Sequence, residues 1–302
     1  MPDQAEALRV RVRANESSDF SSENGMARVI AVASGKGGVG KSNFSVNFAM
    51  ALQKAGKTVV VIDTDVGFAD VELLLGVRAK HSLMDILEGA SMGDVLEHSG
   101  VGLPFISAGS GFTDIHSLSV DAVHRLLSEL NRLQDQFDYV VIDCGAGLGG
   151  NLVELLRAAD DLVIVATPEP TAIADAYSLL KQLVSKDKLS TVRVVINRAA
   201  TFVEAKLAAD KLVSVCRRFL DIAPSPLGYI LEDETVGQAV MRQEPFLTAF
   251  PNSQGARCMI QLADNYLRSE VALPRRGWNA FLHRLTSRLR PGSKGWNSSH
   301  PA

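Results

Sequence analysis

The stretch that most restricts this chain is "RVIAVASGKGGVGKSNFSVNFAMAL", residues 28–52. A continuous apolar run leads into a turn holding four glycines, and an apolar helical pattern follows at once. Gly35, Gly40, Lys41 and Ser42 fit the spacing G-x-x-x-x-G-K-S/T in the strand-to-helix context that this spacing requires. Glycines let backbone N–H groups converge on phosphate oxygens, and the following helix N-terminus adds positive potential. Gly35, Lys36, Gly37, Gly38, Val39, Gly40, Lys41, Ser42 and Asn43 are therefore expected to form a nucleotide-binding loop. In it Lys41 reaches the β- and γ-phosphates, and the Ser42 hydroxyl serves Mg²⁺. Lys36 stands on the outer rim, one residue after the first glycine, and the bound nucleotide already has Lys41. Its residue type alone is compatible with a solvated rim lysine.

The remainder of the chain repeats the alternation of apolar strand and longer amphipathic segment. "TVVVID", "PFISA", "DYVVID", "DLVIVAT", "TVRVVIN" and "PLGYI" join "RVIAVAS" as seven strands. Continuous Val/Ile runs indicate strands covered on both faces, which means a parallel sheet with helices on each side. The expected fold class is α/β: a single doubly wound, mostly parallel sheet of the P-loop NTPase type, over residues 28–270. "DYVVID" ends in Asp143, a Walker B pattern whose carboxylate suits Mg²⁺ directly or through water. Asp63 and Asp65 follow "TVVVI" at a strand end, where doubly wound sheets place ligand contacts, although aspartates there also cap helices. Asn197 ends "TVRVVIN", and its amide offers adenine both a donor and an acceptor.

The string "SGKGGVGKS" resembles the deviant phosphate loop of the MinD/ParA ATPases, whose signature residue is the extra lysine. This resemblance implies an Mg²⁺-dependent, slow ATPase that forms an ATP-bound homodimer. It implies that Lys36 reaches the partner's phosphates as a cation given in trans. It also implies that Asp65 orients the attacking water, that Asp63 helps to organise hydrated Mg²⁺ with Ser42 and Asp143, and that Asn197 contacts adenine. The chain departs from the commoner family wording at Phe68-Ala69-Asp70, where relatives have Leu-Ala-Asn. Two stretches resemble the flagellar-number regulators of the FlhG/FleN branch. They are "TPEPTAIADAYSLLK", residues 167–181, and "DQAEALR", residues 3–9. The latter implies an N-terminal activating helix, residues 1–10, in which Asp3, Gln4, Ala5, Leu8 and Arg9 stimulate a signal-recognition-type flagellar GTPase. The flagellar transcription activator and switch-ring components are further implied partners. A division-site MinD and a ParA-like segregation ATPase are the alternatives.

Charge is uneven. The net value is -3, yet residues 271–302 hold five Arg, one Lys and no acid, so this tail carries +6 and the rest -9. Within residues 274–291 an apolar arc of Trp278, Phe281, Leu282, Leu285 and Leu289 faces away from the arginines. Such a helix can lie on an anionic membrane, as C-terminal helices of the resembling family do, or dock on its own core. Direct DNA binding through the arginines is the weaker reading. Residues 11–27 read as a linker and 292–302 as a polar tail. Three separated cysteines and a polar start favour a reducing compartment and no secretion signal. The expected location is cytoplasmic and reversibly peripheral on the inner membrane face, at the cell pole in the flagellar reading.

Overall fold

A computed structural model describes residues 27–65, 70–109, 120–145, 150–184, 191–270 and 277–289. The strands are β1 (Arg28–Ala33), β2 (Val59–Asp63), β3 (Glu97–His98), β4 (Pro104–Ser107), β5 (Tyr139–Asp143), β6 (Asp161–Ala166), β7 (Thr191–Ala199) and β8 (Ser225–Leu231). They form one sheet in the order β3-β4-β2-β5-β1-β6-β7-β8. Each neighbouring pair is parallel except β3 with β4. The seven expected strands are all present. β3 was not expected, because two residues show no periodicity.

The helices are α1 (Lys41–Lys54), α2 (Asp70–Leu75), α3 (Met92–Val95), α4 (Val120–Asn131), α5 (Gly150–Ala158), α6 (Pro170–Leu183), α7 (Phe202–Leu220), α8 (Glu234–Met241), α9 (Phe246–Ala249), α10 (Gln254–Glu270) and α11 (Gly277–Leu289). β1, β2, β5 and β6 are buried at every residue, which explains their unbroken apolar runs. Alternate side chains of β1 enter different cores. Val29, Ala31 and Ala33 join the layer of α4–α7, while Ile30 and Val32 join that of α1, α9 and α10. β1 lies between β5 and β6, where the chain order along the sheet reverses. Doubly wound sheets open their ligand crevice at that place, beyond the strand carboxyl ends.

Of the two placements open to the C-terminal helix, lipid or its own core, the structure shows docking on the core. Trp278, Phe281, Leu282 and Leu285 are buried in the same hydrophobic cluster as α4, α5 and β1. Trp278 Nε1 donates to the Leu130 carbonyl at 2.7 Å. Arg284, expected on the solvated side, donates to the Ala158 carbonyl at 2.8 Å and to Asp160 Oδ1 at 3.0 Å. The stripe thus completes a layer of the core. The side chain of Leu289 lies outside the described residues, as do Asp3, Gln4, Ala5, Leu8 and Arg9. Among the described residues no helix is long and apolar enough to cross a membrane.

Candidate functional site

Local sequence sets the loop between β1 and α1. Gly40 caps α1 with φ 89°, a left-handed conformation that favours glycine, and no side chain caps the helix. The first-turn N–H groups are thereby left for a ligand. Gly35 is required for a different reason. A Cβ there would lie 2.2 Å from the backbone carbonyl of Asp175, so the loop rests directly on α6.

Lys41 and Lys36 have different fates. Lys41 is buried, and its Nζ donates to Asp143 Oδ2 at 3.0 Å and to Ser42 Oγ at 3.1 Å. Burial alone would lower its pKa, but the Asp143 carboxylate outweighs that and holds it above the ordinary lysine value. Asp143 is wholly buried, and its second oxygen accepts from Ser45 Oγ at 2.6 Å. Lys36 stays half-exposed on the rim, and its Nζ meets Glu169 Oε2 at 2.9 Å just before α6. A pair this exposed contributes about 0–1 kcal/mol and can be exchanged for another partner.

The two strand-tip aspartates behave differently. Asp63 is buried, and its oxygens accept from the Asp65 N–H at 2.9 Å and the Val71 N–H at 3.2 Å. It thereby ties the end of β2 to the start of α2. Burial and the nearby Asp143 charge push its pKa up to about 7. Asp65 lies against the β5 tip, where a Cβ on Gly145 would be 3.0 Å from Asp65 Oδ1. Asp70 places a carboxylate oxygen 3.4 Å from the Ser42 hydroxyl.

On the other side of the loop, a cleft of about 620 Å³ is lined by Gly38, Gly40, Asn43, Asn197, Arg198 and Asp233 among others. Asn197 Nδ2 donates to the Val39 carbonyl at 2.8 Å, and its Oδ1 accepts from the Arg198 N–H at 3.0 Å. One amide hydrogen and one lone pair remain for a base. Arg198 adopts φ 58°, uncommon for a residue with a side chain, beside a register shift between β7 and β8. That kink turns Asn197 inward, while Arg198 stays exposed near Glu232, 3.6 Å away.

A family model described as "ParA: NUBPL iron-transfer P-loop NTPase" matches residues 25–264. The chain belongs to the ParA/MinD family of P-loop NTPases. It is 37% identical over 270 residues to the antiactivator FleN of Pseudomonas aeruginosa, covering 88% of this chain and 96% of that one. It is 31% identical over 298 residues to the flagellum site-determining protein YlxH of Helicobacter pylori, covering 96% and 100%. Among solved structures it is similar to the MinC:MinD cell division complex of Aquifex aeolicus, with TM-score 0.65 and 27% identity over 82% of this chain and 99% of that one. The protein is accordingly an ATPase.

The residues fit Mg²⁺ and a nucleoside triphosphate. The uncapped helix start and Lys41 suit phosphate oxygens, and Ser42 and Asp143 offer hard oxygen atoms suited to Mg²⁺. When bound, the cation would neutralise charge on the β- and γ-phosphates. Lys41 holds Asp143 until a phosphate competes for it, and Asn197 holds the loop against β7. The structure thus gathers the loop, Asp63, Asp65, Asp143 and Asn197 at one end of the sheet. Sequence reasoning missed Ser45, Glu169 and the contact of Asp70. Ser45 lies one turn beyond Lys41 on the same helix, a spacing that places both on one face.

Proposed function

We propose that this ATPase is a two-state switch controlling flagellar number and placement. The observation that supports the switch is the difference between the lysines: Lys41 is buried and pairs with Asp143, whereas Lys36 is half-exposed on the rim and pairs with the exposed Glu169. ATP binds at the loop, two chains associate face to face, and each Lys36 leaves Glu169 for the phosphates of the partner subunit. Charge grows on those oxygens in the transition state, and a cation from the neighbour stabilises it there. Asp65 orients the attacking water, Asp63 and Asp143 with Ser42 serve Mg²⁺, and hydrolysis returns the monomer. Association then frees α11 for an anionic inner membrane face. α11 packs on α5, which begins shortly after Gly145, so movement at the β5 tip has a direct route to it. Two helices in a dimer raise membrane avidity by about 10²–10⁴.

The flagellar assignment rests on the likeness to an antiactivator and to a flagellum site-determining protein. Its partners in this reading are a signal-recognition-type flagellar GTPase, met by residues 3–9, the flagellar transcription activator and the switch ring. The test uses Asp65→Ala protein, which binds ATP without turnover. ATP should double its particle size and carry it onto anionic liposomes, whereas ADP should do neither, and adding Lys36→Ala should abolish both effects. Pairing that survives Lys36→Ala overturns the switch. The likeness to MinD supports a division-site role as the rival. Deleting the gene separates the two, because minicells rather than altered flagella per cell would favour the rival.

A further inference from the structure

We infer that Asp70 is a positioning residue for the cation site, acting through the hydroxyl of Ser42. This rests on the reading that Ser42 serves Mg²⁺. A serine hydroxyl has one hydrogen and two lone pairs, and it can ligate a cation only when its hydrogen points elsewhere. Lys41 Nζ donates into one lone pair of Ser42 at 3.1 Å, so the hydrogen needs an acceptor. The Asp143 oxygens accept from Lys41 and Ser45. The Asp63 oxygens accept from the N–H groups of Asp65 and Val71. The Ser42 hydroxyl donates to Asp70 Oδ2 at 3.4 Å.

The Asp63 carboxylate holds the Val71 N–H, which fixes α2 so that its first side chain faces the loop. Once Lys41 turns to phosphate, a Ser42 hydroxyl donated to Asp70 presents free lone pairs to the cation. Such outer partners orient a ligand and raise its basicity, and removing one costs about 10–100-fold in metal affinity.

The test is Mn²⁺ affinity of the ADP-loaded full chain, followed by electron paramagnetic resonance, beside ADP affinity measured in EDTA. Asp70→Ala should weaken Mn²⁺ by about 10–100-fold and leave ADP binding in EDTA unchanged. Asp70→Asn, which retains an acceptor, should fall between Asp70→Ala and the unsubstituted chain. Unchanged Mn²⁺ affinity in Asp70→Ala overturns the inference, as does an equal loss of ADP affinity in EDTA, which marks a merely structural role. An Asn variant as poor as the Ala variant assigns the effect to bulk charge and overturns it also. If the unsubstituted ADP complex holds no Mn²⁺, the cation reading of Ser42 falls first.

Discussion

Replacing Trp278 with alanine tests whether α11 is a separable part of the core. The indole is 1% exposed, stacks on Phe281 at 5.1 Å with a 23° interplanar angle, and donates to Leu130 O at 2.7 Å. Truncating a buried Trp to Ala costs about 3–5 kcal/mol. If α11 opens without the sheet, that cost falls on its docking equilibrium, and the undocked fraction rises by about 10²–10⁴-fold. Amide hydrogen exchange followed by mass spectrometry reads this directly. Peptides covering residues 277–289 should exchange faster by that factor, with a smaller gain in α5, where Arg284 holds the Ala158 carbonyl and Asp160. β1, β2 and β5 should keep the protection of global unfolding. Acceleration spread evenly over β1 and β5 would show that α11 opens only with the whole fold, which refutes the coupling of this helix to nucleotide. The companion variant Asp160→Asn weakens the latch from the core side and leaves the helix sequence intact, so its nucleotide-free liposome binding should rise.

The pH dependence of stability carries a second prediction. An acid whose folded pKa is raised from 3.8 to about 7 binds more protons folded than unfolded between those values, so stability falls as pH rises through that window. For Asp63 the fall is roughly 4 kcal/mol, and Asp63→Asn should flatten the difference curve in urea titrations between pH 4 and 7 without nucleotide. Identical slopes for the two proteins would remove Asp63 as the cause. Gly35→Ala should abolish nucleotide binding in a calorimetric titration while the fold persists by circular dichroism, because the new methyl meets the Asp175 backbone 2.2 Å away. Retained binding would mean that the loop can lift from α6 without penalty.

The phosphate loop was legible because its spacing is local: the four positions Gly35, Gly40, Lys41 and Ser42 identify it whatever the rest of the chain does. The parallel sheet was legible for a similar reason, since β1, β2 and β5 lack any polar face. Contacts between distant residues were not. Glu169 stands 133 residues from Lys36, and nothing in either neighbourhood announces the other. α11 shows a deeper limit. Trp278, Phe281, Leu282 and Leu285 make an apolar arc, and periodicity reports only that the arc avoids water. It does not say whether lipid or β1 covers it. Asp70 was visible as a departure in wording, but its meaning needed the 3.4 Å contact with Ser42.

The seating of Trp278 beneath Leu130 has a practical side. A chain cut before Gly277 loses more than a tail, because Leu130, Leu155 and Ala158 belong to the cluster that α11 covers. Shortened proteins should be less soluble and melt earlier. A mislocalised truncation would therefore report a damaged globule as readily as a missing anchor, and point substitutions on the polar side of the helix, such as at exposed His283, are the cleaner genetic tool.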